Sequence, residues 1–469
     1  MRFVVGVLAL LVACGRIDFT PIGSGDDDGG GSGDSGGSIV RKPCALTSNL
    51  SLTVDAFTTD AAGNAYVLIG LNGSISLGSK MFTNADPFPD LIAVSLDPSC
   101  TVRWAHPFAV TFGGFAVTGR PAMVVDGMGT VTIAADFAGT IDPGDGAHVS
   151  NGGGTTSDLF VAQLGADGGL VWFRQLGGTT ADLVGGLALL PNGDVVLGGT
   201  FTGAINLGAG NVSSAGAGDI FVAGYSHAGV LRPGKPFGGT GDDYLSRIAV
   251  DAGGTIYGAG SYTGATNLGT GMLANAGGND AFAARYSQAL AAQMTTSCGG
   301  TGDQFAFAVA VDASSEMTIA GEFDGPINCG TGVLTPVGLR DVFVGGIATG
   351  GAARWVRQFG GTAEDQCESL VVDGAGDVVA AGAFGATVDF GDGPHTVTTQ
   401  AGYVVALATD GTTRWVVTLE GSGAVDAYLV AAMPGTGVAV AGTFAGTLLL
   451  DATELDSVGQ TGVFVAQVH

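Results

Sequence analysis

The chain has 469 residues, 85 of them glycine, with 46% hydrophobic and only 12% charged residues and a formal net charge of −26. That apolar share excludes a disordered chain, the glycines show no collagen period, and the acidity sets nucleic acid aside as a partner. The length exceeds one ordinary core, and short apolar runs between glycine clusters point to an all-β repeat protein.

Residues 1–13 place Arg2 before an apolar run from Phe3 to Ala13. This has the form of a secretory signal and is too short to span a bilayer as a helix. It ends in Leu11-Val12-Ala13-Cys14, which resembles the lipobox of bacterial lipoproteins. The resemblance implies cleavage before Cys14, acylation of that cysteine, and a cell-envelope protein held by lipid outside the cytoplasm, on the outer membrane or cell surface. Residues 14–38 follow as a tether. From Gly23 to Ser38 only Gly, Ser and Asp occur, so nothing there can pack and a flexible coil is expected. Asp26, Asp27, Asp28 and Asp34 lack a scaffold that would fix calcium geometry.

Residues 39–469 carry a repeat. One phrase is a strand with Phe at a fixed point: Asp158-Leu-Phe160, Asp219-Ile-Phe221, Asp280-Ala-Phe282 and Asp341-Val-Phe343, with relatives at Gly402 and Gly462 and an earlier copy from Asp90. Constant spacing assigns the slot after Phe343 to Val404. A second phrase runs from Ile248 through a glycine turn to Ile256-Tyr-Gly-Ala-Gly260 and recurs with Gly199, Gly321, Gly382 and Gly442. Glycine inside a strand marks close approach of another backbone, which in a ring suggests crowding near the axis. A third phrase carries Trp104, Trp172, Trp355 or Trp415. Four strands per repeat, with hairpin turns inside each unit, predict a seven-bladed β-propeller of four-stranded antiparallel blades. These blade phrases resemble the bacterial SBBP β-propeller repeat. That resemblance implies an architecture and transfers no catalytic residue.

The chain ends directly after the seventh Phe strand, which leaves the last blade without its outer strand. An open edge is aggregation-prone, so residues 39–50 are expected to supply the closing strand, pairing with residues 463–468. Pro43 then falls at an edge or strand end.

Candidate chemistry is sparse. The loops Gly177-Gly178-Thr179, Gly238-Gly239-Thr240 and Gly360-Gly361-Thr362 each lead to an acidic residue, Asp182, Asp243 or Asp365. Those carboxylates are candidate calcium ligands, although a calcium site needs six to eight converging oxygens; the plainer expectation is that they hydrogen-bond local N–H groups. The five histidines are scattered without ligand spacing. Beyond Cys14 there are cysteines at 44, 100, 298, 329 and 367. Cys329 is placed to bridge either Cys298 or Cys367, and an odd number leaves one thiol free in a monomer. The expectation is therefore a monomeric, membrane-tethered propeller without cofactor or catalysis, binding an unidentified protein or carbohydrate or serving as structural display. The alternative is a carbohydrate-active lyase or hydrolase with an acidic site on one face, favoured only by the pairs Asp242/Asp243 and Glu364/Asp365.

Overall fold

The computed structural model describes residues 39–468 except 49, 85–88, 112–118, 154, 436, 451–452 and 458–459. The signal, Cys14 and the tether lie outside the described residues. The described residues contain strands and no α-helix.

The physics of one repeat shows why. In the sheet Asp243–Val250, Ile256–Tyr262, Asp280–Tyr286 and Ala292–Cys298, the strand Ile256–Tyr262 is buried at every residue and carries no charged side chain. Sheets stacked on both faces demand that pattern. The turn between the first two strands is fixed by Asp251. Its backbone carbonyl accepts Gly254 N–H at 2.9 Å and its Oδ1 accepts Gly253 and Thr255 N–H. Gly254 sits at φ +81°, a left-handed conformation that glycine adopts without strain.

Six four-stranded antiparallel units are contiguous in the chain, two of them extended by added hairpin strands into seven- and six-stranded sheets. Their innermost strands are Ser51–Thr59, Ala122–Val125, Asp182–Leu189, Asp243–Val250, Gln304–Val311 and Gln366–Val372. A further sheet is composite. Val425–Ala432, Val438–Phe444 and Gly462–Val468 are joined on the outside by Ile39–Leu46 from the start of the described chain. The pairing runs Ile39 to Val468, Arg41 to Gln467 and Leu46 to Val463, with a register shift between Arg41 and Cys44. Pro43 falls inside that shift, where its missing N–H leaves no ladder partner unmet. The composite sheet packs on the first contiguous one: Leu46, Leu429, Val463 and Val465 share a core with Leu52, Ile69 and Leu71. The arrangement is a β-propeller.

Neighbouring blades are held by the recurring residues. Trp172 Nε1 donates to the His227 carbonyl of the next blade at 3.1 Å and Arg174 Nε to that of Gly229 at 2.8 Å. Trp355 and Arg357 repeat this on Thr409 and Gly411. A Cβ on Gly229 or Gly411 would lie 2.7 Å or less from the indole, so the turn must be glycine for the tryptophan to seat. The mid-strand glycines are also explained, with one correction. They lie on the second strand rather than at the axis: a Cβ on Gly199 would meet the Leu183 carbonyl at 2.2 Å and the Phe221 ring at 2.7 Å. Each faces an aromatic across the ladder, Gly260 with Phe282 and Gly321 with Phe343. Opposite Gly382 stands Tyr403, not Val404. That blade is one residue shorter before its third strand, and strand alternation, not constant spacing, decides which side chain faces the glycine.

Candidate functional site

The loops after the outer strands are blade seams. Gly178 N–H donates to Asp182 Oδ2 at 2.7 Å, Gly239 N–H to Asp243 Oδ2 at 2.7 Å, and Gly361 N–H to Asp365 Oδ2 at 2.8 Å. A Cβ on Gly178, Gly239 or Gly361 would stand about 2 Å from a carbonyl of a neighbouring loop. The three carboxyls are buried and spent on turn closure. Burial pushes Asp182 up to about 7 and Asp243 and Asp365 up to about 6. Among the described residues no three His, Cys, Asp or Glu side chains gather as a metal site. The acidic pairs are split by the pleat, since Asp243 and Asp365 point into the seam while Glu364 is half exposed and lies 3.6 Å from Arg340. Cys298 is bonded to Cys329, linking the outer strand of one blade to a hairpin loop of the next, and Cys367 is buried with a free thiol. Cys44 is bonded to Cys100, a pairing that sequence reasoning did not reach.

The repeat breaks along the inner strands. Each of them, apart from the short Ala122–Val125, carries a register shift: between Val54 and Ala56, Val184 and Gly186, Leu245 and Arg247, Ala306 and Ala308, Cys367 and Ser369, and Asp426 and Leu429. A β-bulge inserts an unpaired residue and re-aims side chains. The bulged residues are Asp55, Gly185, Ser246, Phe307 and Glu368, with Tyr428 in the last strand. They differ from blade to blade, as do the residues that follow them, among them Gly186, Arg247 and Ser369, while the next position is apolar throughout, as at Phe57, Leu187, Ile248 and Leu370. A search for recurring phrases passes over this column, and only its variability at constant spacing marks it.

The column surrounds a funnel. A cavity of about 630 Å³ is lined by Thr53, Asp55, Arg120, Arg247, Glu368 and Tyr428 among others. A recess of about 270 Å³ shares Gly119 and Arg120 with it and adds Tyr244, Phe305 and Phe307. A more apolar chamber of about 370 Å³ adjoins the larger cavity and shares Pro121, Arg247 and Leu429 with it. Arg120 Nη1 contacts Glu368 Oε2 at 2.6 Å, and its guanidinium sits 4.1 Å above the Phe307 ring. Phe305 and Phe307 lie parallel, centroids 5.6 Å apart. Burial, opposed by a Thr53 hydrogen bond and helped by Asp136, pushes Asp55 up to about 7. Burial likewise raises Asp426, which accepts from Tyr428 Oη at 3.1 Å. Burial, with Arg120 nearby, lowers Arg247 to about 10, so it stays cationic at neutral pH. The site thus combines a cation, a carboxyl, Asp55, that holds its proton to near neutrality, and aromatic faces.

No family model matches the chain, and no curated protein matches it. The SBBP resemblance therefore rests on the blade residues alone. Among solved structures, the chain is similar to a protein of unknown function from Dyadobacter fermentans DSM 18053, at 10% identity over 92% of this chain and 100% of that one, TM-score 0.43. It is also similar to puromycin hydrolase, at 14% identity over 87% of this chain, TM-score 0.38, and spans 59% of that protein's length. Ulvan lyase shares 12% identity over 86% of this chain and 83% of its own, TM-score 0.35.

Proposed function

We propose that the chain is a monomeric, lipid-tethered, extracytoplasmic propeller that binds its ligand without transforming it, in the funnel at the channel mouth. The bulge column supports this reading: it is where the blades cease to be equal, and a pure scaffold has no need of such inequality. We take the ring as seven-bladed, supported by counting the composite sheet with the six contiguous ones. Cys14 supplies the anchor, and labelled fatty acid is expected to enter the wild type and not Cys14→Ala.

The funnel is tested by closing it. Thr53 is exposed and lines the cavity, so Thr53→Trp fills the mouth without entering the core. A panel of glycans and peptides is expected to yield a ligand whose affinity falls at least about tenfold in Thr53→Trp; undiminished binding would place the site elsewhere. The alternative, a carbohydrate-active enzyme, is favoured by Asp55, a proton-bearing carboxyl in the same cavity. Product formation in those incubations, abolished by Asp55→Asn, would replace the binding reading with that one.

A further inference from the structure

We propose that the funnel receives a carboxylate-bearing saccharide, its carboxylate held by Arg247 with Arg120 beside it. This rests on the funnel being the ligand site. The cavity walls carry two cations, Arg120 and Arg247, and they are differently employed. Arg120 is committed: Glu368 at 2.6 Å, Phe307 beneath it, and its own backbone N–H on the Val184 carbonyl at 2.7 Å. Arg247 donates one long hydrogen bond, 3.5 Å, to the Pro121 carbonyl, and no carboxylate of the described residues lies within 4.0 Å of it. A guanidinium presents five donors in a planar fork that matches a carboxylate bidentately. Arg247 follows the bulge at Ser246 and borders both the funnel and the chamber adjoining it. Its guanidinium, near the Pro121 carbonyl, therefore stands where the two spaces meet.

The surrounding charges leave that position positive. Glu368 is neutralised by Arg120. Glu322 is buried and paired with Arg340 at 3.1 Å. Asp55 and Asp426 are both driven toward the protonated form by burial. A partly buried cation that lines a cavity without a carboxylate partner is costly, and an anionic ligand relieves that cost.

The rest of the wall suits a sugar better than a peptide. Thr53, Thr443 and Tyr428 bring hydroxyls, and Asp55 and Asp426 bring carboxyls that accept from or donate to ring hydroxyls. Phe305 lies parallel to Phe307, whose one face is covered by Arg120, and lines the adjoining recess with Tyr244, exposed over 40% of its surface. Flat apolar faces beside convergent polar groups, in cavities of this size, fit a short oligosaccharide.

Titration calorimetry with the full chain tests this, using oligogalacturonate, a neutral maltooligosaccharide of equal length, and a short peptide with a free C-terminal carboxylate. The oligouronate is expected to bind, the neutral sugar at least about tenfold more weakly, and Arg247→Gln to lose at least about tenfold on the oligouronate alone. Rising salt should weaken the oligouronate and spare the neutral sugar, a readout that needs no substitution. Absence of oligouronate binding, equal binding by Arg247→Gln, or preference for the peptide carboxylate would overturn the proposal. A ligand blocked by Thr53→Trp and indifferent to Arg247→Gln would leave the funnel standing and remove only the carboxylate assignment. Oligouronate binding untouched by Thr53→Trp would remove the funnel itself.

Discussion

Asp182, Asp243, Gln304 and Asp365 occupy one column, 61 residues apart in the chain, and the odd one out is informative. Each aspartate uses Oδ2 to close its turn, while Oδ1 of Asp182 and of Asp243 meets no hydrogen-bond donor among the described residues. After burial and the turn hydrogen bonds, Asp158, Asp219 and Asp341 across the seam add repulsion. At the fourth position an amide stands, which is neutral at every pH. The aspartates keep their protons in the fold up to about pH 6–7, against an ordinary value of 3.8. The stability this brings is complete below the unfolded pKa and is lost as pH rises through the folded one. The wild type should therefore melt lower at about pH 8 than at about pH 5. Asp182→Asn should gain about 1–3 °C at the higher pH and change little at the lower, by scanning calorimetry. A loss at both, together with a calcium-dependent melting temperature in the wild type, would return these carboxylates to cation binding.

At the scale of strands, the parts of the fold that recur were readable. Phe, Gly and Trp columns repeat because each performs the same contact on the next strand or blade: Phe221 over Gly199, Trp172 over Gly229. Those columns therefore carried the four-strand unit and its order. Two things were not legible. Tyr403 was displaced by one position, because spacing does not say on which side of the strand a one-residue shortening falls and only the pleat reveals which side chain turns inward. The bulge column was passed over for a deeper reason. A bulge is a backbone event with no fixed residue signature, and Gly185, Ser246, Phe307 and Glu368 share no chemistry. The candidate site thus lies where the repeat is least repetitive, whereas the conspicuous Gly-Gly-Thr loops are seams.

For the whole ring, closure depends on one ladder that the chain itself does not connect, between Gly462–Val468 and Ile39–Leu46. Every other strand pair within the blades joins segments that follow each other along the chain. The Cys44–Cys100 disulfide does not bridge that ladder. It ties the closing strand to a turn of the first contiguous blade, where Cys100 takes φ +70°, in the kind of turn where Gly168, Gly229 and Gly411 sit beneath tryptophans elsewhere. With the bond formed, the closing strand is held along the seam before the C-terminal strand docks, so the ring closes at a lower entropic cost. The Cys298–Cys329 bond staples two blades that the chain already connects. The two enclose sequence separations of 56 and 31 residues, and loop length alone makes the first worth only about 0.5 kcal/mol more. In urea unfolding, replacing Cys44 and Cys100 together by serine should cost more stability than replacing Cys298 and Cys329 together. The expected difference is about 1 kcal/mol or greater, clearly above the loop-length figure. Cys367 does not confuse the comparison, because burial pushes its thiol up to about 12 and keeps it out of exchange. Losses equal to within about 0.5 kcal/mol would mean that the closing strand docks as readily without its tie, and that the ring's weakest seam lies elsewhere.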